Sequence, residues 1–271
     1  MQDFQESDRE HRKDSRGPRE KTAPWLRARV VFGLAASACI AILGTILLVI
    51  VGCLTLFRAR RLYSEGFVKW MSRMALWCCG VRVRVHRDLE FSDSQTVYIS
   101  NHTSSLDLFV ITSLGLPRAR YFLSGFLRPI LPIGVIGHMI GVFWTMSQKY
   151  PQRRAALFQQ AEQTLRRTGE SVFLTPEGQQ IGCFNKGAFH LATNLAAPIQ
   201  PIYVDIPSDV DPGPWVQGKE MDLRPGRVDV YFGEPIDASQ WRLEDLEANR
   251  DSVKAFYERW KSELRDGEPT G

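Results

Sequence analysis

Thr96-Val97-Tyr98-Ile99-Ser100-Asn101-His102-Thr103-Ser104-Ser105-Leu106-Asp107 begins as a short strand-like run, passes through a polar loop and enters a helix-like segment over residues 106–114. The same alternation recurs on either side. Residues 81–86 alternate apolar and charged side chains, the pattern of a half-buried strand. Residues 96–100, 120–123, 171–174, 199–204 and 227–232 are further strands. Between them, 106–114, 152–167 and 186–195 read as helices, and 243–264 reads as a closing amphipathic helix. This order predicts an α/β layer fold, a mixed β-sheet flanked by helices. Residues 207–226, rich in Pro, Gly and Asp, read as a long loop.

The polar loop carries the first candidate chemistry. His102 stands just past a strand and before a helix, where open α/β sheets bind ligands. Asp107 follows one turn into the helix. It can hold one imidazole nitrogen, fix the tautomer and stabilise the imidazolium formed when the other nitrogen takes a proton. With no nucleophile in the block, such a base suits a hydroxyl brought by the substrate. The competing reading has Ser104 or Ser105 capping the helix while His102 bonds nearby backbone. A second strand, Phe173-Leu174, runs into Thr175-Pro176-Glu177-Gly178-Gln179-Gln180 and presents Glu177 at the same edge. Lys186 then opens a helix near its positive end. His11 lies in a polar tail and His86 ends a charged strand. His138 and His190 sit among apolar residues and read as satisfied structural histidines. No His-Glu-x-x-His is present, and no metal site is predicted.

Residues 30–57 contain no charge, and about 20 apolar residues suffice to cross a bilayer core. Arg27 and Arg29 flank one end and Arg58, Arg60 and Arg61 the other, so charge does not orient the run. It reads as a tilted span, as a one-leaflet hairpin bent at Gly44 or Gly52, or as a buried core helix. Gly33, Ser37 and Gly44 are suited to packing against a neighbouring helix. Residues 62–80 place Phe67, Trp70, Met71, Met74 and Trp77 near one face with Lys69 and Arg73 interleaved. That fits a helix at the headgroups or one packed on the domain. A second apolar region, 121–146, is broken by Pro129 and Pro132 and carries Arg128. It reads as a membrane- or acyl-facing surface or as core. The chain thus divides into a disordered polar tail (1–24), membrane-associated helical segments (25–80) and an α/β domain (81–271).

Composition removes several classes. Of 271 residues, 44% are hydrophobic and 24% charged, which excludes disorder, collagen and coiled coil for the whole chain. A net charge of +4, from 34 basic and 30 acidic residues, is too mild to argue for nucleic acid. The five cysteines show no zinc spacing and no even disulfide framework, and read as reduced thiols facing cytosol or lipid. A serine lipid hydrolase would need a Gly-x-Ser-x-Gly elbow, and the sequence has none.

Taken in order, Asn101-His102-x4-Asp107, Pro176-Glu177-Gly178, Lys186-Gly187-Ala188-Phe189 and the Pro-Ile strand Pro198–Ile202 resemble the glycerolipid acyltransferases of the 1-acylglycerol-3-phosphate O-acyltransferase type, over roughly residues 71–232. The resemblance implies a membrane-embedded helical motif before the catalytic domain. It implies transfer of an acyl group from a thioester, acyl-CoA or acyl carrier protein, to the hydroxyl of a lyso-lipid, with no metal or organic cofactor and no nucleic-acid partner. His102 would be the general base and Asp107 its orienter, supported by Asn101 and Lys186. Glu177, Gly178, Gln179 and Gln180 would shape the acceptor site. The protein would sit at a membrane, the inner membrane in a bacterium, with its catalytic domain facing the cytoplasm.

Two departures bear on the acceptor. The family continues Pro-Glu-Gly with Thr-Arg where this chain has Gln179 and Gln180. The family also ends an apolar run with Arg where Gly141-Val142-Phe143-Trp144-Thr145 runs into Met146-Ser147-Gln148. An arginine fork suits a phosphate, whereas Gln supplies no charge. A phosphate-free acceptor such as lyso-ornithine lipid is therefore an alternative, as is a non-catalytic membrane lipid-binding protein. Lys149, Arg153 and Arg154 read first as a solvated basic face and second as replacements for the lost charge. Arg166 and Arg167 read likewise, their second reading being acyl-CoA phosphates or an acidic carrier.

Overall fold

Burial sorts the apolar runs. The computed structural model describes residues 24–86, 91–104, 106–147, 149–177, 184–211 and 223–266. In it, β2 (Val97–Ser100) and β5 (Ser171–Leu174) are buried at every position, as strands covered on both faces must be. β1 (Val81–His86), by contrast, alternates. With β3 (Ala119–Ser124), β4 (Phe143–Thr145), β6 (Ile199–Asp205) and β7 (Gly226–Phe232) they form a seven-stranded sheet in the order β1-β7-β6-β2-β5-β3-β4. β6, β2, β5, β3 and β4 are mutually parallel. β7 pairs antiparallel with β6 and parallel with β1, so the sheet is mixed. One consequence matters for function: five strands deliver their C-terminal ends to a single edge.

Alternation along the strands divides the core in two. Tyr98, Tyr121 and Phe173 point to a layer holding Val110 and Ile111 of α3 (Asp107–Leu114) and Leu76 of α2 (Lys69–Cys78). Met139 and Ile140 of α4 (Leu131–Ile140) join that layer. Val97, Ile99, Val172 and Leu174 point to the other, packed on α5 (Pro151–Thr168), α6 (Gly187–Leu195) and α7 (Leu246–Asp266) through Leu165, Phe189 and Tyr257. Gly141 and Gly169 end α4 and α5 in left-handed conformation (φ 74° and 61°), where a side chain would be strained.

α1 (Pro24–Leu54) is one helix, continuous through Gly44 and Gly52. The bend that the hairpin alternative placed at those glycines falls instead after Leu54, where Leu56 and Phe57 take positive φ. The chain then returns through a π-helical segment, Leu62–Val68, into α2. The small residues of α1 are contact points. A Cβ on Gly33 would lie 2.7 Å from the Cys78 carbonyl oxygen, and one on Gly44 2.7 Å from Met71 Sδ. Ser37 Oγ donates to the Ala75 carbonyl at 3.1 Å. The outer face leaves Phe32, Leu43, Ile46, Leu47 and Ile50 exposed. Ala28–Leu54 is long and apolar enough to cross a membrane. Beyond α1, Arg60 and the buried Arg120 of β3 both bond Glu170, which ties this helical unit to the sheet.

The region 121–146 resolves into the end of β3, a 3₁₀ turn (Gly125–Leu127), α4 and the three-residue β4, a strand not anticipated from the sequence. His138 and His190 are exposed, which corrects the apolar setting expected for them; His190 Nδ1 has a partner in Asn194 Nδ2 at 3.2 Å. Cys39, Cys53, Cys78 and Cys79 are free thiols. Cys183, the tail 1–23 and most of the expected 207–226 loop lie outside the described residues.

Candidate active site

The loop after β2 folds around one carboxylate. Asp107 Oδ2 accepts from His102 Nδ1 at 2.8 Å and from the backbone N–H groups of Thr103 (2.8 Å) and Ser104 (3.0 Å). An acceptor-only carboxylate requires a proton on Nδ1, which leaves Nε2 as the free base. The Asp107 side chain is 4% exposed and that of His102 41%. The carboxylate is sealed while the imidazole is open to whatever enters. The hydrogen bond to Asp107 raises the His102 pKa above the ordinary imidazole value, outweighing burial, and the charges of Asp107 and Glu177 add to the rise. Asp107 Oδ1 is buried with no partner among the described residues.

Three further contacts fix this loop. Glu177, at the end of β5, accepts the His102 backbone N–H at 2.8 Å. Asn101 bridges to β6 with its amide, donating to the Val204 carbonyl (2.9 Å) and accepting its N–H (2.8 Å), so the side chain imitates one more strand residue. Beneath it, Pro201 of β6 has no N–H to give to the ladder. The Tyr257 hydroxyl fills that gap, accepting from Ile202 N–H at 3.1 Å and lying 2.9 Å from the Ile99 carbonyl. Complete burial holds this phenol neutral, its pKa far above the usual range. Ser104 Oγ donates to Asp211 and accepts from Leu106 N–H at 2.9 Å. This is a turn ahead of α3 and not a cap: Leu106, the residue before the helix, makes no side-chain capping bond, and Ser105 lies outside the described residues.

His102 and Asp107 open onto a cavity of about 610 Å³ along the C-terminal strand edge. Its walls are largely apolar, from Leu108, Ile111, Phe122, Phe126 and Phe158, with Thr145, Ser147 and Asn185 among the polar positions. Gly125 lets the 3₁₀ turn approach β4: a Cβ there would meet the Thr145 carbonyl oxygen at 2.6 Å. Among the described residues no group of three or more His, Cys, Asp or Glu is placed to hold a metal.

The expected site residues divide into three sets. Asn101, His102, Asp107 and Glu177 converge on one loop, though Glu177 clamps the His102 backbone instead of lining the cavity. Lys186 is turned to the surface, paired with Glu247 of α7, and does not line the cavity. Gly178, Gln179 and Gln180 lie outside the described residues. Sequence reading missed Tyr257, 155 residues from His102, for which only the Pro in β6 gave a signal. It also favoured a solvated face for Arg154, which lines the cavity.

The family model described as Acyltransferase matches residues 82–205. A chloroplastic 1-acyl-sn-glycerol-3-phosphate acyltransferase of Arabidopsis thaliana is 32% identical over 161 residues, covering 56% of this chain and 42% of that protein. The alpha form of the same enzyme from Mus musculus is 27% identical over 210 residues, covering 73% and 70%. The match thus spans under half the length of the plant relative. The crystal structure of the 1-acyl-sn-glycerophosphate acyltransferase of Thermotoga maritima superposes with a TM-score of 0.63 at 19% identity, over 86% of this chain and 98% of that one, a likeness of fold. Residues 82–205, which carry the His102–Asp107 pair, are thus similar to the acyltransferase domain.

Proposed function

We propose that this protein transfers a fatty acyl group from acyl-CoA or acyl carrier protein to the free hydroxyl of a lyso-lipid of the 1-acylglycerol-3-phosphate type. The observation that carries the reading is the His102–Asp107 pair, which lines a largely apolar cavity of about 610 Å³. The relatives' names point to the same acceptor class.

In this reading Nε2 takes the proton of the acceptor hydroxyl as its oxygen attacks the thioester carbonyl. Asp107 stabilises the imidazolium formed. The tetrahedral intermediate collapses by breaking the C–S bond, and His102 returns the proton to the leaving thiolate. The products are a diacyl lipid and a free thiol. The apolar face of α1, with exposed Trp70 and Trp77 on α2, would hold the protein at a membrane, the inner membrane in a bacterium. The catalytic domain would face the cytoplasm, where the thioester donors are. No cofactor is needed for these steps.

The test is acyl transfer by the purified, detergent-solubilised chain from labelled acyl-CoA and from acyl carrier protein, with His102→Ala as the blank. Lysophosphatidic acid is offered against a phosphate-free lyso-lipid such as lyso-ornithine lipid. Absence of His102-dependent transfer to either would sink the reading and favour a lipid-binding protein.

A further inference from the structure

Among the described residues, the cavity beside His102 is lined by one cation, Arg154, in the first turn of α5. Its guanidinium is partly buried and has no carboxylate or carbonyl partner among the described residues. The neighbouring basic groups are otherwise engaged or turned outward. Arg153 lies over the Tyr150 ring at 5.5 Å, Arg166 pairs with Glu162, and Lys149 is exposed and does not line the cavity. Arg154 is therefore distinguished from the basic face of its own helix by its position in the cavity wall.

A partly buried guanidinium in the wall of a largely apolar cavity gives up hydration that an anion or ordered water restores. Its planar fork of donors matches a phosphate or a carboxylate in two parallel hydrogen bonds. The same cavity offers a base for a hydroxyl and an apolar wall for a chain. An amphiphile with an anionic head, a hydroxyl and an alkyl tail satisfies all three features at once. We propose that Arg154 is the residue that selects the acceptor, by pairing with the oxyanion of its head group. This rests on the acyl-transfer reading above and narrows it. Lyso-lipids with a phosphate or carboxylate head are ligands, and neutral monoacylglycerols are poor ones.

Equilibrium binding to the full chain in detergent, without acyl donor, tests this apart from turnover. The probes are lysophosphatidic acid, lyso-ornithine lipid (a carboxylate head), monoacylglycerol and coenzyme A, against wild type, Arg154→Gln and Arg154→Lys. Arg154→Gln is expected to weaken the anionic lyso-lipids about 10- to 100-fold, the worth of a charged hydrogen-bonded pair. Monoacylglycerol binding should be unchanged, and Arg154→Lys should recover part of the loss. The head group that loses more identifies the natural acceptor. Unchanged affinity for both anionic lipids, an equal loss for monoacylglycerol, or a loss confined to coenzyme A would each overturn the assignment. Should Arg154→Gln fail to fold, wild-type binding read against salt decides: rising salt must weaken lysophosphatidic acid and spare monoacylglycerol. Failure of the acyl-transfer reading would appear separately, as absent His102-dependent turnover with binding intact.

Discussion

Asp107→Asn removes a charge and almost nothing else, so it isolates what the carboxylate does. Oδ2 accepts three hydrogen bonds, from His102 Nδ1 and from the N–H groups of Thr103 and Ser104. If the amide oxygen takes the Oδ2 position, all three bonds survive without charge assistance. The cost is about 1 kcal/mol per bond, ~3 kcal/mol in all. If the amide turns round, its NH2 faces two backbone donors and accepts nothing from Nδ1–H. The imidazole must then carry its proton on Nε2 and is no base. In the first case the imidazolium formed during transfer loses its counter-charge; in the second the tautomer is wrong. Turnover should fall by roughly 10²- to 10⁴-fold in either case. The assay is steady-state acyl transfer across pH together with thermal unfolding of the same preparation. A variant that keeps kcat within about tenfold of wild type, with the same acidic limb, would refute the tautomer argument.

Further outcomes are expected. The raised His102 pKa places the acidic limb of kcat/KM above the ordinary imidazole range, with activity rising as the imidazole loses its proton. Glu177→Gln, which removes a negative charge nearby, moves that limb down in pH. The raised His102 pKa of the wild type also stabilises the fold below the unfolded value, and this contribution fades as pH rises through the folded one, which urea titrations at several pH values would read. Tyr257→Phe leaves Ile202 N–H and the Ile99 carbonyl unserved in a fully buried place. It should cost about 1–3 kcal/mol in unfolding and lower turnover by loosening the strand that carries His102. Gly33→Leu drives a side chain into the Cys78 backbone and should cost about 1–3 kcal/mol, while Gly66→Ala, whose Cβ meets only Leu62 Cδ1 at 3.4 Å, should be tolerated.

The sequence reading was strongest where one period or one spacing settles the outcome. Six of the strands, the long apolar helix and the packing role of Gly33, Ser37 and Gly44 follow from local pattern. The five-residue step from His102 to Asp107 is likewise a local fact, one helical turn after a loop. What escaped depends on partners far along the chain. β4 is three residues long and exists because β3 pairs with it. The bend after α1 lies at Leu56 and Phe57, residues with no turn signature, because contacts with α2 and α4 hold α1 straight through its glycines. Lys186 has the right place in the motif yet faces Glu247, and Glu177 turns its carboxylate to a backbone N–H. Arg154 looked like one more solvated arginine until the sheet edge was assembled around it.

Acyl transfer with a substrate hydroxyl activated by His102 makes one sharp demand on stoichiometry. Purified protein is given labelled acyl-CoA and lysophosphatidic acid, and released thiol, diacyl lipid and free fatty acid are counted over time for wild type and His102→Ala. One thiol should appear for each diacyl lipid, with little fatty acid, and both should vanish in His102→Ala. Thiol release matched by free fatty acid, or diacyl lipid formed equally by His102→Ala, would contradict the account.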